Sequence, residues 1–118
     1  MASHDAHPHG YFWHDRLDCF HVALEFSAWV QHISPRIPRG RAHLRDQLVR
    51  ASDSILLNIC EGAAVPGKVG TNHYRHALRS TAECNGATRL LEIARVRGAV
   101  EGRRLTERLR AMLAGLAR

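Results

Sequence analysis

Apolar positions recur every three or four residues along most of the chain, which is the spacing of one face of an α-helix. Four such stretches are separated by segments rich in residues that favour turns. The predicted helices run from Asp15 to Ile33, from Ala42 to Glu61, from Thr71 to Arg97 and from Glu101 to Ala117. Strand-type alternation and internal repeats are absent from the sequence. The pattern therefore predicts an all-α fold.

The segments between the predicted helices have clear turn chemistry. Residues 34–41 hold two prolines and a glycine, and residues 63–70 hold Pro66, Gly67 and Gly70. Gly62 is predicted to end the second helix in a left-handed conformation, and Gly98 the third. Four amphipathic helices joined by short loops favour an antiparallel, up-down-up-down four-helix bundle. We expect one bundle domain over residues 15–118, after a flexible His-rich tail over residues 1–14.

The first predicted helix carries apolar residues on two faces. These two stripes are Leu17, Phe20, Leu24 and Ala28, and then Val22, Phe26, Trp29 and Ile33. One stripe is expected to face the bundle core. The second indicates either a wide core contact or self-association into a homo-oligomer.

Composition and charge exclude several classes of protein. The chain has 118 residues with 17 basic and 11 acidic side chains, a net charge of +6 and 45% hydrophobic residues. This hydrophobic content argues against a disordered chain, and no apolar run approaches the roughly 18 residues of a membrane span. No secretory signal pattern is visible, and three unpatterned cysteines argue against a disulfide scaffold. We expect a basic, cytoplasmic protein that does not bind membranes.

Residues 50–62 read RASDSILLNICEG. They resemble the signature of the four helix bundle protein family, also called the ribosomal RNA intervening-sequence protein family. Its signature positions here are Arg50, Ser54, Asn58, Glu61 and Gly62. Weaker matches lie at residues 17–20, 44–48, 77–84 (which includes Glu83) and 98–100.

The resemblance implies a four-helix bundle that assembles into homopentamers. The fold is also similar to that of the accessory protein of diversity-generating retroelements, which forms a basic barrel and partners a reverse transcriptase and RNA. RNA, or an RNA-handling protein, is therefore an expected partner of this chain. Most members of that family have no demonstrated activity, and we expect this chain to be non-enzymatic and to use no cofactor.

Arginine supplies 16 of the 17 basic side chains. The arginine guanidinium matches phosphate geometry, and release of counterions drives binding to nucleic acid at low salt. Two clusters stand out, one in residues 34–50 and one in the fourth predicted helix. From them we predict six phosphate contacts: Arg36, Arg39, Arg41, Arg45, Arg104 and Arg108. A solvated basic surface without a ligand remains the alternative.

The signature residues have a structural interpretation. A hairpin of the second and third helices places Arg50 near Glu83 and Asp53 near Arg79, which predicts two ion pairs. Asn58, Glu61 and Gly62 are expected to terminate the second helix. Their alternative role is an edge for partner binding.

The chain shows none of the common metal-ligand spacings, and no metal or cofactor site is predicted in its body. After removal of Met1, the amine of Ala2, two backbone amides and the imidazole of His4 fit the square-planar geometry of Cu(II) or Ni(II). We expect this tail site to bind such ions only adventitiously.

Three function hypotheses remain open. The first is a non-enzymatic, self-associating bundle that binds RNA or scaffolds an RNA-handling protein. The second is a protein-binding oligomeric adaptor that uses Phe26, Trp29 and the aromatic residues of the tail. The third is a metal-dependent bundle enzyme, which the missing ligand spacing disfavours.

Overall fold

The computed structural model describes residues 12–118, in which all regular secondary structure is helical and strands are absent. The four α-helices are α1, Asp18–Ile33; α2, Ala42–Ala64; α3, Gly67–Ile93; and α4, Ala99–Leu116. The all-α prediction with four helices is confirmed, with helix ends that differ by a few residues. Single 3-10 turns lie at Trp13–Arg16, Ser34–Arg36 and Arg39–Arg41.

The four helices share one core. Both α1 and α3 pack against α2 and α4, and the contacts of α3 are the more extensive. Every helix contributes fully buried apolar side chains to this core, among them Phe26, Ile33, Leu44, Leu48, Ile55, Ile59, Leu91, Leu109 and Leu113. Burial of this apolar area is the main term that stabilises the fold. The apolar stripe of α2 is buried throughout: Leu44, Leu48, Ala51, Ile55 and Ile59.

The two apolar stripes of α1 have different environments. The stripe that contains Phe26 and Trp29 lies in the core, where these side chains are 1% and 5% exposed. The other stripe is divided, because Phe20 is buried whereas Leu24 and Ala28 point to solvent. The adaptor hypothesis chose Phe26 and Trp29 as contact residues, and that choice is wrong because the bundle already buries both.

The third helix does not end at the predicted glycine, Gly98, but in a turn at Arg95. The N–H groups of Val96 and Arg95 donate to the carbonyls of Leu91 and Glu92, which is the pattern of a Schellman motif. Arg95 occupies its left-handed position, with φ of 58°. Gly98, the predicted end of the third helix, instead precedes α4 with φ of 95°.

The core face of α3 is made of small side chains in its middle. Ala77, Cys84 and Ala87 are buried there, and so are the hydroxyls of Thr81 and Thr88. Each threonine satisfies its hydroxyl within the helix, since Thr81 donates to the carbonyl of Ala77 and Thr88 to that of Asn85, both at 2.8 Å. Small residues let the neighbouring helices approach α3 closely, so polar side chains at its edges meet those of α2 and α4.

The predicted tail lies mostly outside the described residues, and so does its predicted Cu(II) or Ni(II) ligand His4. Its last residues belong to the Trp13–Arg16 turn. Asp15, the predicted start of the first helix, lies in this turn instead, and its carboxylate accepts a hydrogen bond from the Phe12 N–H at 3.0 Å. The His14 ring packs on Phe20 of α1, with ring centroids 4.5 Å apart.

Candidate nucleic-acid interface

The α1–α2 connection and the α3–α4 turn meet at one end of the molecule. The indole N–H of Trp29 donates to the carbonyl of Gly98 at 2.9 Å. The Nη1 atom of Arg36 donates to the carbonyl of Arg97 at 3.1 Å. These two bonds join segments more than 60 residues apart, so the arginines of both connections share one surface.

We call this surface the basic end and define it as residues 32–46 and 92–104. It contains eight arginines against three carboxylates, and so carries five of the six net positive charges of the chain. Its arginines are Arg36, Arg39, Arg41, Arg45, Arg95, Arg97, Arg103 and Arg104. Charge concentrated in this way attracts a polyanion more strongly than the same charge spread over the molecule.

Five of the six predicted phosphate contacts lie at the basic end. Arg39 and Arg104 are exposed, while Arg41 and Arg45 are half-buried. Arg36 is also exposed, but its guanidinium already bonds the Arg97 carbonyl and the His32 ring.

Arg108, the sixth, is exposed one helical turn farther along α4 than Arg104 and lies outside the basic end. Within residues 12–118, Arg39, Arg41, Arg45, Arg104 and Arg108 make no ion pair and no side-chain hydrogen bond.

Sequence reasoning missed two arginines of this surface, Arg95 and Arg97. They flank Val96 in the turn before α4, a segment treated only as a helix end. The predicted up-down order already contained this signal, because such an order places the first and third connections at the same end of a bundle.

Arg103 belongs to the same surface but is held by carboxylates. Its Nε atom lies 2.8 Å from Glu92 and its Nη1 atom 3.1 Å from Glu107. The hydrogen bonds donated to Glu107 and Glu92 raise the pKa of the Arg103 guanidinium. Arg89 lies 3.8 Å from Glu107 and extends this charged network along the α3–α4 contact.

The signature residues of α2 form a polar network with α3. The Ser80 hydroxyl donates to the Ser54 hydroxyl at 2.9 Å, and the Asn58 amide donates to the same oxygen at 3.2 Å. His73 Nδ1 lies 3.0 Å from the side-chain amide oxygen of Asn58 and 3.7 Å from the Glu61 carboxylate. Ser54, Asn58 and Glu61 thus connect α2 to α3. Asn58 and Glu61 do not end the second helix as predicted, because α2 continues to Ala64.

Gly62 has a different role from the predicted one. It lies inside α2, which continues to Ala64, and it is buried. A Cβ atom at this position would lie 2.8 Å from the Tyr74 ring of α3. Glycine is therefore needed here for close approach of the two helices, and the prediction of a left-handed helix end is wrong.

The two predicted ion pairs are absent from the described residues. Arg50 and Glu83 line one groove without reaching the 4.0 Å of a salt bridge, and Gln47 donates to Glu83 at 3.4 Å. Asp53 lies in the groove between α1 and α2, on the side of α2 that faces away from Arg79. The predicted hairpin placed Arg50 and Glu83 at the same height along the two helices, and both line one groove in the structure. It placed Asp53 on the wrong face of α2.

The remaining nucleophiles and metal ligands form no reactive cluster in the described residues. No group of three or more histidine, cysteine or acidic side chains there is placed to hold a metal ion. Burial raises the pKa of the Cys19 thiol to about 11 and of the Cys84 thiol to about 12. Both thiols stay protonated at neutral pH and are weak nucleophiles.

Comparison of the chain with family models, with curated proteins and with solved structures finds no match. The resemblance at residues 50–62 therefore stays a prediction. None of the helices within residues 12–118 combines the length and the apolar character that a membrane crossing requires.

Proposed function

We propose that this protein is a non-enzymatic cytoplasmic RNA-binding bundle whose basic end contacts the phosphate backbone. The observation that carries the proposal is the meeting of two arginine-rich connections, which leaves exposed guanidinium groups such as Arg39 and Arg104 without carboxylate partners in the described residues. Such groups bind phosphates and release counterions without reading base sequence.

We infer that the four helices run antiparallel. Three pairs of side chains across α2 and α3 support this: Gln47 with Glu83, Ser54 with Ser80, and Asn58 with His73. The residue number falls on α3 as it rises on α2. An antiparallel order also brings the two arginine-rich connections to one end.

We further propose that the chain self-associates through the outer faces of α1 and α2. Leu24, Val49 and Leu57 are 43%, 44% and 58% exposed on these faces. Burial of such side chains against a second copy removes apolar area from water. A homopentamer, which the family resemblance implies, would present five basic ends and so gain avidity for a long RNA.

The first test is an RNA titration of nuclease-treated protein at low and at high salt, with light scattering in the same buffers. We expect an oligomer whose RNA affinity falls steeply with salt, since each phosphate contact adds to the slope of log affinity against log salt. Absence of binding at low salt would contradict the proposal.

A matched pair of charge reversals locates the RNA surface. Arg39→Glu with Arg104→Glu changes the basic end. Lys68→Glu with Arg118→Glu makes the same change of charge away from the basic end, in the groove where α3 begins and α4 ends. We expect the first variant to lose RNA affinity by about tenfold or more and to show a shallower salt slope. Equal loss in both variants would show that net charge alone, and not the basic end, governs binding.

The second candidate function is a protein-binding adaptor. The exposed apolar side chains of α1 and α2 favour it, since such a patch also suits a protein partner. The same titration separates the two functions, because an adaptor without a role in RNA binding shows no salt-sensitive affinity for RNA.

A further inference from the structure

A second group of unpartnered arginines lies away from the basic end, in a groove between α2 and α3. The groove has a volume of about 600 Å³, with Ala51 and Ala82 among its lining residues. Arg50 of α2 and Arg79 of α3 both line it, and His76 lies beside them. The groove therefore combines an apolar floor with cationic groups from two helices.

The two arginines are free to take a ligand. Both are exposed, and neither side chain makes an ion pair or a hydrogen bond in the described part of the chain. One carboxylate, Glu83, also lines the groove and accepts a hydrogen bond from Gln47. Two guanidinium groups against one carboxylate leave the groove cationic, whatever the charge of His76.

The hydroxyl of Ser54 adds a neutral donor. It accepts hydrogen bonds from Ser80 and from Asn58, so its oxygen is oriented by two neighbours. A hydroxyl hydrogen rotates about its C–O bond, so the Ser54 hydroxyl can donate either to Ser80 or to a group bound in the groove. A hydroxyl held in this way in the groove that both arginines line is suited to donate to an oxygen of a bound anion.

We propose that this groove binds one phosphate group through Arg50, Arg79 and the Ser54 hydroxyl. A phosphate offers several acceptor oxygens to guanidinium forks and to a hydroxyl at once, which a chloride or a single carbonyl does not. The apolar lining accommodates the group that carries the phosphate, such as a nucleoside. The site is distinct from the basic end and does not depend on it.

The test is a binding titration of the whole protein with AMP, with adenosine as the control that lacks phosphate. We expect AMP to bind and adenosine not to bind at the same concentrations. Arg50→Gln with Arg79→Gln should weaken AMP binding by about tenfold or more, because hydrogen bonds to a charged ligand are lost. Failure of AMP and of phosphorylated RNA to bind, or binding unchanged in this variant, would overturn the proposal.

A matched variant controls for net charge. Arg104→Gln with Arg108→Gln removes two arginines from α4, and we expect AMP affinity to change by less than about twofold at moderate salt. Glu83→Gln should strengthen AMP binding, because a carboxylate no longer opposes the anion. Equal weakening by both arginine pairs would overturn the proposal. The arginine variants retain every described hydrogen bond, and their thermal unfolding checks that the fold is intact.

The source of the phosphate is resolved by one further comparison. A short RNA with a 5′-phosphate is compared with the same RNA carrying a 5′-hydroxyl. Tighter binding of the phosphorylated RNA that requires Arg50 and Arg79 assigns the groove to an RNA end, whereas binding of AMP alone assigns it to a small phosphorylated ligand. RNA binding at the basic end is expected to survive loss of Arg50 and Arg79, so the two proposals fail separately.

Discussion

The two contacts that α3 makes with its neighbours use opposite chemistry. The contact with α4 is charged, and two of its arginines are paired, since Arg103 bonds Glu92 and Glu107 and Arg89 lies 3.8 Å from Glu107. The contact with α2 is built mainly from neutral groups, such as Ser54, Asn58 and Ser80. Its arginines stay at the rim without partners. The difference shows that the number of arginines on a surface does not give the number available to a ligand, because nearby carboxylates pair some of them.

One helix produces this difference by the spacing of its residues. Asn85, Arg89 and Glu92 are spaced three or four apart and lie together on the side of α3 that faces α4. His76, Arg79 and Glu83 follow the same spacing and line the groove beside α2. Along α3, ion pairs between arginine and carboxylate form only on the α4 side within the described residues, where Glu107 contacts both Arg89 and Arg103.

The α2–α3 contact depends on the close approach of the two helices at Gly62. Substitution of this glycine is expected to change stability more than any other variant considered. Gly62→Ala forces a methyl group against the Tyr74 ring and should reduce the free energy of unfolding by about 2 kcal/mol. Urea unfolding measures the change.

Gly86→Ala is the matched control, since nothing lies within 4 Å of the added methyl. Alanine favours the helix there, and we expect an increase of about 1 kcal/mol. Destabilisation of similar size in both variants would contradict the role given to Gly62.

The neutral network of the α2–α3 contact predicts a smaller effect. Asn58→Ala removes the hydrogen bonds to Ser54 and leaves His73 without its amide partner. We expect a loss of about 1 kcal/mol that is the same at low salt and at about 1 M salt. A loss that shrinks with salt would mean that charge, through Glu61 and His73, holds this contact.

The α3–α4 contact should respond to salt. Arg103→Gln leaves Glu92 and Glu107 without their shared cation, so the protein should lose stability. The loss should be smaller than that caused by Gly62→Ala. The loss should diminish as salt screens the two carboxylates. Chemical denaturation by urea at several salt concentrations checks this. A loss independent of salt would contradict the contrast between the two contacts.

The smallest change in stability is expected at the turn that ends α3, outside both contacts. Arg95→Gly relieves a left-handed conformation in a non-glycine residue, and we expect stabilisation of about 0.5 kcal/mol. Thermal unfolding measures it, with Arg97→Gly as a control that relieves no positive φ. Destabilisation by Arg95→Gly would show that the arginine side chain itself holds the turn.

Helical periodicity was enough to predict the four helices and most of the core, because buried positions such as Leu44, Leu48 and Ile55 recur on one face. It did not predict which stripe of α1 is buried, since both are equally apolar and only packing against α2 and α4 distinguishes them. Gly62 was mistaken for a helix end because close approach and left-handed backbone both favour glycine. The partners of Arg103 depend on helix rotation, which spacing alone does not fix.

The measurement that tests the central claim most directly is NMR of the arginine side-chain Nε–H signals during titration with AMP and with RNA. We expect Arg50 and Arg79 to respond to AMP, Arg39 and Arg104 to respond to RNA, and Arg103 to respond to neither. A response of Arg103 equal to that of the unpaired arginines would contradict the account, because carboxylate pairing would then not decide which arginines bind phosphate.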